Sequence, residues 1–256
     1  NKYQLVHFNS VKVLNTHAFY YNANSSSSMQ IYAKNNIFYN ESTSSHALNI
    51  SGTNGLYLDY NDLYSNSTYP VYYDSENITF AEYQATGSGA NSVNLEPVFD
   101  SDSTMVPRRL ALDNLGITTS TVITDDFYGT TRSTTTPDMG AVEFSISGTP
   151  LSGTYTVGSG GNFATFDSLK NDLTYFGISA PVTFNVLAGT YDAPLVLGEI
   201  HGVSTTNKVT FQSAAANADS VIWENTANSS QSNYVIKLVG ADHITLKNIT
   251  FKNQGT

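Results

Sequence analysis

Some side chains in this sequence are of types that could carry chemistry. Asp125 and Asp126 stand side by side, and hydrolysis of a glycosidic bond needs two carboxyls across the scissile bond. The surrounding stretch DDFYGTTR offers no partner motif for that reaction, and a turn or capping role suits the pair better. Arg132, in the same stretch, reads as a brace against Asp or Glu. The five histidines, His7, His17, His46, His201 and His243, never fall at metal-ligand spacing. Acidic side chains are present, but no EF-hand or nonapeptide calcium motif occurs. The chain has no cysteine, so disulfides, thiol catalysis and thiolate metal sites are ruled out together. Gly158-Ser159-Gly160-Gly161 precedes a helical pattern as a phosphate loop would, yet no Lys-Ser/Thr follows and a turn explains it better. Neither a metal nor a cofactor is expected.

The tyrosines are the strongest functional hint, 17 of them against one Trp. Tyr20-Tyr21, Tyr57, Tyr60, Tyr64, Tyr69, Tyr72 and Tyr73 cluster in the first third of the chain. On outer faces their rings could stack on sugars, which makes Tyr57, Tyr60, Tyr64, Tyr72 and Tyr73 candidate carbohydrate-binding residues. The competing expectation is that they form aromatic ladders along a repetitive fold.

Positioning such residues is a task for strands rather than helices. Only 12% of the 256 residues are charged, about half the usual share, with Asn, Ser, Thr and Tyr in their place. Helices carry Glu, Lys and Arg on their wet faces, so this composition favours strands, turns and polar ladders. The net charge of −10, with 11 scattered Lys and Arg, gives no basic patch for a phosphate backbone. Nucleic acid is excluded as a partner. No apolar run approaches the ~18 residues needed to span a bilayer, so no membrane insertion is expected. Residue 1 falls inside a patterned region with no signal peptide, as in a piece of something longer.

Short apolar-alternating bursts recur at VKVLN (11–15), QIYAKNNIFYN (30–40) and LYLDYNDLYSN (56–66). In each, an Asn follows the apolar residues, with Asn15, Asn35 and Asn61 separated by 20 (15 to 35) and 26 (35 to 61) residues. A repeat of that length with one core strand each points to a solenoid. In a parallel β-helix, Val11, Val13, Ile31, Ala33, Leu56 and Leu58 would form inner stacks, and Asn15, Asn35 and Asn61 a corner ladder. An antiparallel sandwich also repeats its strands, but hairpin signals are few; only Asn54-Gly55 fits.

SISGTPLS (145–152) reads as a linker, after which the pattern restarts. Phe166, Leu169, Leu173 and Phe176 share one helical face, with Thr165 as N-cap and Gly177 as the residue past the C-terminus. Strand patterns follow at 182–191, 208–213, 220–225, 234–240 and 244–253. The helix over 166–176 sits where a cap covering a solenoid's open edge belongs.

PVFD (97–100), RLALDNLG (109–116), DFYGTTR (126–132) and PDMGAVEF (137–144) resemble the closing segment of right-handed parallel β-helices of the pectin-lyase-like superfamily, as found in secreted proteins of Bacteroidota. Asp126, Gly129, Arg132, Pro137, Asp138, Gly140, Ala141, Glu143 and Phe144 carry the likeness; Glu96 departs from it, standing where Asp commonly precedes the Pro. The stretch from Tyr155 to Tyr191, with GGNFATF and VTFNVLAGTY, resembles the opening of the same superfamily. The resemblance implies an all-β chain of tandem β-helices: closing coils over 1–144, a linker over 145–152, and the capped start of a second solenoid over 153–256.

The superfamily contains esterases, hydrolases and lyases. Esterase motifs are missing, and Ala193 replaces the Glu of the opening G-x-Y-x-E. The hydrolase G-H-G and R-I-K motifs are missing beside Asp125-Asp126. Lyases use Arg or Lys as base, but Arg108, Arg109 and Arg132 fall in the closing region. The expectation is therefore a non-enzymatic, adhesive or fibre-forming segment of a large exported bacterial cell-surface protein. Its partners would be other β-helix domains and surface polysaccharide, its location extracellular, and its export the type IX secretion route that serves gliding or attachment. The alternatives are a polysaccharide-active enzyme whose catalytic coils lie outside this stretch, and a filament subunit stacking through open coil ends. Asp-Ser-x triplets place candidate O-glycosylation at Ser103, Ser168 and Ser220, matching the short signal of Bacteroidota.

Overall fold

Strands in the computed structural model are short because the chain turns a corner every few residues, at several of which a residue such as Phe8, Asn35 or Tyr60 takes up the left-handed backbone. The structure describes residues 2–22, 29–119, 123–226 and 232–254. It forms two compact units, 1–146 and 147–256.

In the first unit, three coils contribute three strands each. They are β1 (Lys2–His7), β2 (Ser10–Val13) and β3 (Phe19–Asn22); β4 (Met29–Lys34), β5 (Ile37–Asn40) and β6 (Leu48–Ser51); and β7 (Leu56–Leu58), β8 (Asp62–Ser65) and β9 (Val71–Tyr73). The parallel sheets run β1-β4-β7, β2-β5-β8 and β3-β6-β9, the pattern of a β-solenoid. A short β10 (Glu76–Ile78) then pairs antiparallel with β9. The six-residue helix α1 (Phe80–Ala85) follows, its Thr79 and Glu82 bonded reciprocally at the N-terminus and its Tyr83 buried in the core.

The stacks differ in detail from the expected ones. Ile31 lies on Leu56 and Ala33 on Leu58, but Val11 belongs to the next sheet, on Phe38 and Leu63. Val13 lies on Asn40 and Ser65 and is not part of an apolar stack. The corner ladder is also displaced. Asn15 sits exposed in the turn after β2, while the stacked amides are Asn9, Asn36 and Asn61. Asn36 Nδ2 donates to Asn61 Oδ1 at 2.8 Å, and the Asn36 backbone N–H donates to the same oxygen at 3.0 Å. Asn9 repeats both bonds onto Asn36 Oδ1. The reason is the corner itself: Phe8, Asn35 and Tyr60 take φ of 58°, 57° and 56°, and the residue after each points its side chain along the ladder. Asn35 therefore holds the left-handed corner and Asn36 the rung, a distinction a run of two asparagines conceals.

The second unit opens with β11 (Leu151–Val157), whose first residues lie inside the stretch expected as linker, with Leu151 buried. Helix α2 (Phe166–Phe176) is capped by Thr165, whose hydroxyl accepts from the Ser168 N–H, and it ends at Gly177, φ 67°. Strands β12 (Ile178–Val186), β13 (Gly189–Asp192), β14 (Leu195–Leu197), β15 (Val209–Ser213), β16 (Val221–Asn225), β17 (Ile236–Leu238), β18 (Ile244–Lys247) and β19 (Thr250–Asn253) complete three parallel sheets, β11-β12-β15-β18, β13-β16-β19 and β14-β17. Phe184 and Phe211 stack in register, and Phe166 of α2 lies 3.9 Å from the buried Trp223. The helix buries Phe166, Leu169 and Leu173 against this core, so its apolar face closes over the inside of the solenoid.

Candidate functional site: a groove on the first unit

Alternation along β1 and β4 sends Ile31 and Ala33 inward and leaves Tyr3, Leu5, His7, Gln30, Tyr32 and Lys34 on the outer face. Parallel pairing then sets equivalent residues side by side: Leu5, Tyr32 and Tyr57 in one row, His7 and Lys34 in another. Thr118 and Thr119 of the closing segment rise beside this face and enclose a cleft of about 430 Å³. A second cleft of about 240 Å³ shares both threonines and continues past Phe8 to Arg132 and Ser133.

The wall is held by Asn35. Its Nδ2 donates to the Ile117 carbonyl at 2.6 Å and its Oδ1 accepts the Ile117 N–H at 2.9 Å, one residue before Thr118. Its backbone carbonyl accepts from the Gly140 N–H at 2.8 Å. Gly140 (φ 93°) allows the approach, since a Cβ there would meet Ser10 Oγ at 2.7 Å.

The rest of the closing segment is a hydrogen-bonded clasp. Asp126 accepts N–H bonds from Tyr128, Thr130 and Glu143; burial raises its pKa, but these bonds and nearby Arg132 bring it below the ordinary value. Arg132 donates to the carbonyls of Gly140 and Ala141 and to Glu143, and its guanidinium lies 4.2 Å from the centre of the Phe8 ring. Asp138 accepts from the Asn114 and Phe144 N–H groups, yet desolvation pushes its pKa up to about 7. Arg109 is buried 3.9 Å from Glu96. The carboxylates and Arg132 of this segment serve the clasp.

The groove itself offers ring faces, hydroxyls, an amide and two basic side chains. Tyr32 and Tyr57 stack at 4.6 Å with planes 9° apart, and Tyr57 is 47% exposed. Tyr3 is 64% exposed. Neither ring nitrogen of His7 has a hydrogen-bond partner, and burial together with Lys34 lowers its pKa, so the imidazole is neutral at pH 7. No carboxylate lines either cleft among the described residues.

The five candidate tyrosines are not brought together. Tyr57 belongs to the groove face, and Tyr60 holds the corner beside it, under the Lys34 ammonium. Tyr64 packs on Tyr39 in the middle sheet. Tyr72 lies against His46, and Tyr73 meets buried Tyr83 edge-on. Sequence reasoning missed Tyr3, His7, Tyr32, Lys34 and the Thr118-Thr119 wall. The signal for Tyr32 was its alternation with Ile31 and Ala33; nothing local marked the wall.

Of the candidate glycosylation residues, Ser103 lies exposed in the turn after Asp100. The Ser168 hydroxyl donates to the Thr165 carbonyl and that of Ser220 to the Asn217 carbonyl. The Gly-rich run 158–161 is a turn closed by Thr156 and Asn162. His17 and His46, far apart in sequence, stack in space. Among the described residues, no group of three or more His, Asp or Glu could hold a metal, and no helix is long and apolar enough to cross a membrane. Comparison with protein-family models, curated proteins and solved structures gives no match.

Proposed function

We propose that this chain is a non-enzymatic structural and adhesive segment of a large exported bacterial cell-surface or fibre protein, and that the groove over Tyr3, Tyr32 and Tyr57 takes hold of surface polysaccharide. The observation that carries the reading is the Tyr32–Tyr57 stack, presented beside a groove that no carboxylate lines among the described residues. Aromatic faces with a few convergent polar groups suit a sugar chain, whereas glycosidic hydrolysis needs two carboxyls in place. Stacked coils supply stiffness, and repeated weak sites along a long protein gain avidity without new contacts. The closing-segment and opening-segment likenesses support export to the surface of a bacterium of the Bacteroidota, in the service of gliding or attachment, with other β-helix domains as neighbours.

The test is affinity electrophoresis of the 256-residue chain through gels carrying neutral and acidic polysaccharides, beside Tyr32→Ala and Tyr57→Ala. Retardation by at least one polysaccharide, lost in both variants while the fold persists, is the expected result. Cleavage of any of these polymers would overturn the non-enzymatic reading. Unretarded migration throughout would overturn the adhesive one.

A further inference from the structure

Two imidazoles sit one above the other on successive coils of the first unit. His17 precedes β3 and His46 precedes β6 at equivalent places, because Phe19 pairs with Leu48. Their ring centres are 5.3 Å apart, with planes 26° from parallel. Each ring is tied at one nitrogen. Asn49 on β6 donates its Nδ2 to His17 Nε2 at 3.0 Å, and His46 Nε2 meets Asn77 Oδ1 on β10 at 2.8 Å. Both Nδ1 atoms are buried without a hydrogen-bond partner.

This arrangement depends on the protonation state. While Asn49 donates to it, His17 Nε2 must carry a lone pair. An imidazolium has N–H on both nitrogens and would face that amide donor to donor. Two imidazolium rings stacked this closely on a half-buried face also repel. The one contact that favours charge on His17 is a hydrogen bond to the His46 backbone, and burial and the His46 ring outweigh it. The titratable groups facing the pair are Tyr20 of β3, stacked beside His17, and Tyr72 of β9, against His46. Strands β6 and β10 present only the amides of Asn49 and Asn77. Among the described residues, no Asp or Glu forms an ion pair with either ring. Burial first, and His46 second, hold His17 below the ordinary imidazole pKa.

We propose that the His17–His46 stack is a proton-operated joint, which loosens the pairing of the first coil with the second when His17 takes up charge in mild acid. Neutral rings join the coils; protonation breaks the Asn49 bond and sets the rings against each other. Because the neutral form is the one the fold favours, this joint contributes fully above the ordinary imidazole range and is lost as pH falls below it. Asp138 acts with the opposite sign over part of that range, so the readout must be resolved by coil rather than taken over the whole unit.

The test is amide hydrogen exchange of the 256-residue chain at pH 7.5 and pH 5.0, corrected for intrinsic rates. Protection of β3 and β6 is expected to fall roughly tenfold for each unit by which the ring pKa is held down, with β15 and β16 unchanged. His17→Phe and His46→Phe keep a flat ring without the proton and are expected to abolish the pH-dependent loss. A role in packing alone would instead lower protection equally at both pH values in these variants, and that result overturns the joint. If a variant does not fold, the wild-type rings can be titrated by NMR. His17 titrating below the ordinary imidazole value supports the joint, and His17 titrating at that value or above it overturns the proposal.

Discussion

Asn35 grips Ile117 with both ends of its amide, across 82 residues of chain, and its own carbonyl takes the Gly140 N–H. One buried residue thus fastens two passes of the closing segment to the second coil, one by its side chain and one by its backbone, and the groove's wall begins at the residue after Ile117. Asn35→Ala should cost roughly 2–4 kcal/mol, from unpaired buried groups at Ile117 and a left-handed corner that alanine resists. Asn35→Gly restores the corner but not the amide and should recover about 1 kcal/mol of that loss. Urea midpoints of the two variants, with proteolysis near residue 117, check both.

Asn61 and Asn15 make a paired test of the ladder. Asn61→Ala removes the acceptor of two Asn36 N–H bonds in a fully buried place and should destabilise by roughly 2–3 kcal/mol. Asn15→Ala alters an exposed turn and should stay within about 0.5 kcal/mol. Equal urea midpoints for the two variants would refute this assignment of the corner.

Gly177 closes α2 with φ 67°, and a Cβ there would lie 2.5 Å from the His201 carbonyl oxygen. Gly177→Ala should therefore cost roughly 2–4 kcal/mol, more than a helix-end glycine in open space would. Thermal unfolding followed by the fluorescence of the single Trp223, which packs on Phe166 of the same helix, reports it directly.

The closing segment should respond to pH in two opposing ways. Asp138, raised to about 7 in the folded unit, contributes stability that is full below the ordinary Asp value and lost as pH rises through about 7. Asp126, held below its ordinary value, contributes stability above that value and loses it as pH falls into strong acid. Carboxyl-carbon NMR titration should find Asp138 near neutrality and Asp126 below the usual carboxylate range. Both titrating near 4 would contradict the assigned environments.

Within the groove, position should matter more than residue type. Tyr72→Ala, on a different sheet, is expected to leave polysaccharide retardation unchanged where Tyr32→Ala removes it. Equal losses in the two variants would place the binding surface elsewhere.

Much of this architecture was legible in the sequence because burial imposes it repeatedly. The alternation in QIYAK and LYLDY, the face shared by Phe166, Leu169 and Leu173, and the Thr165 and Gly177 caps all report local physics. Two things were not legible. Asn35 and Asn36 differ only in backbone hand, so the ladder's true rungs depend on how the turn lengths align the coils. The wall at Thr118-Thr119 lies more than 80 residues from Tyr3 and Tyr32, which line the cleft with it, and no local pattern records that meeting. Tyr72 and Tyr73 look alike in sequence, but alternation leaves Tyr72 against His46 and packs Tyr73 toward Tyr83 in the core.

The reversal at β10 gives the first unit a directional stop. Every sheet up to β9 grows by adding a strand of the same polarity, and β10 meets β9 head to tail instead. A further coil laid on this end would find its third strand opposed by the wrong hydrogen-bond spacing, while the other two sheets still demanded the parallel one. Addition at this end is thus opposed by polarity as well as by bulk, since Tyr83 of α1 is buried over the core and Val93 already occupies the edge beside Asp62.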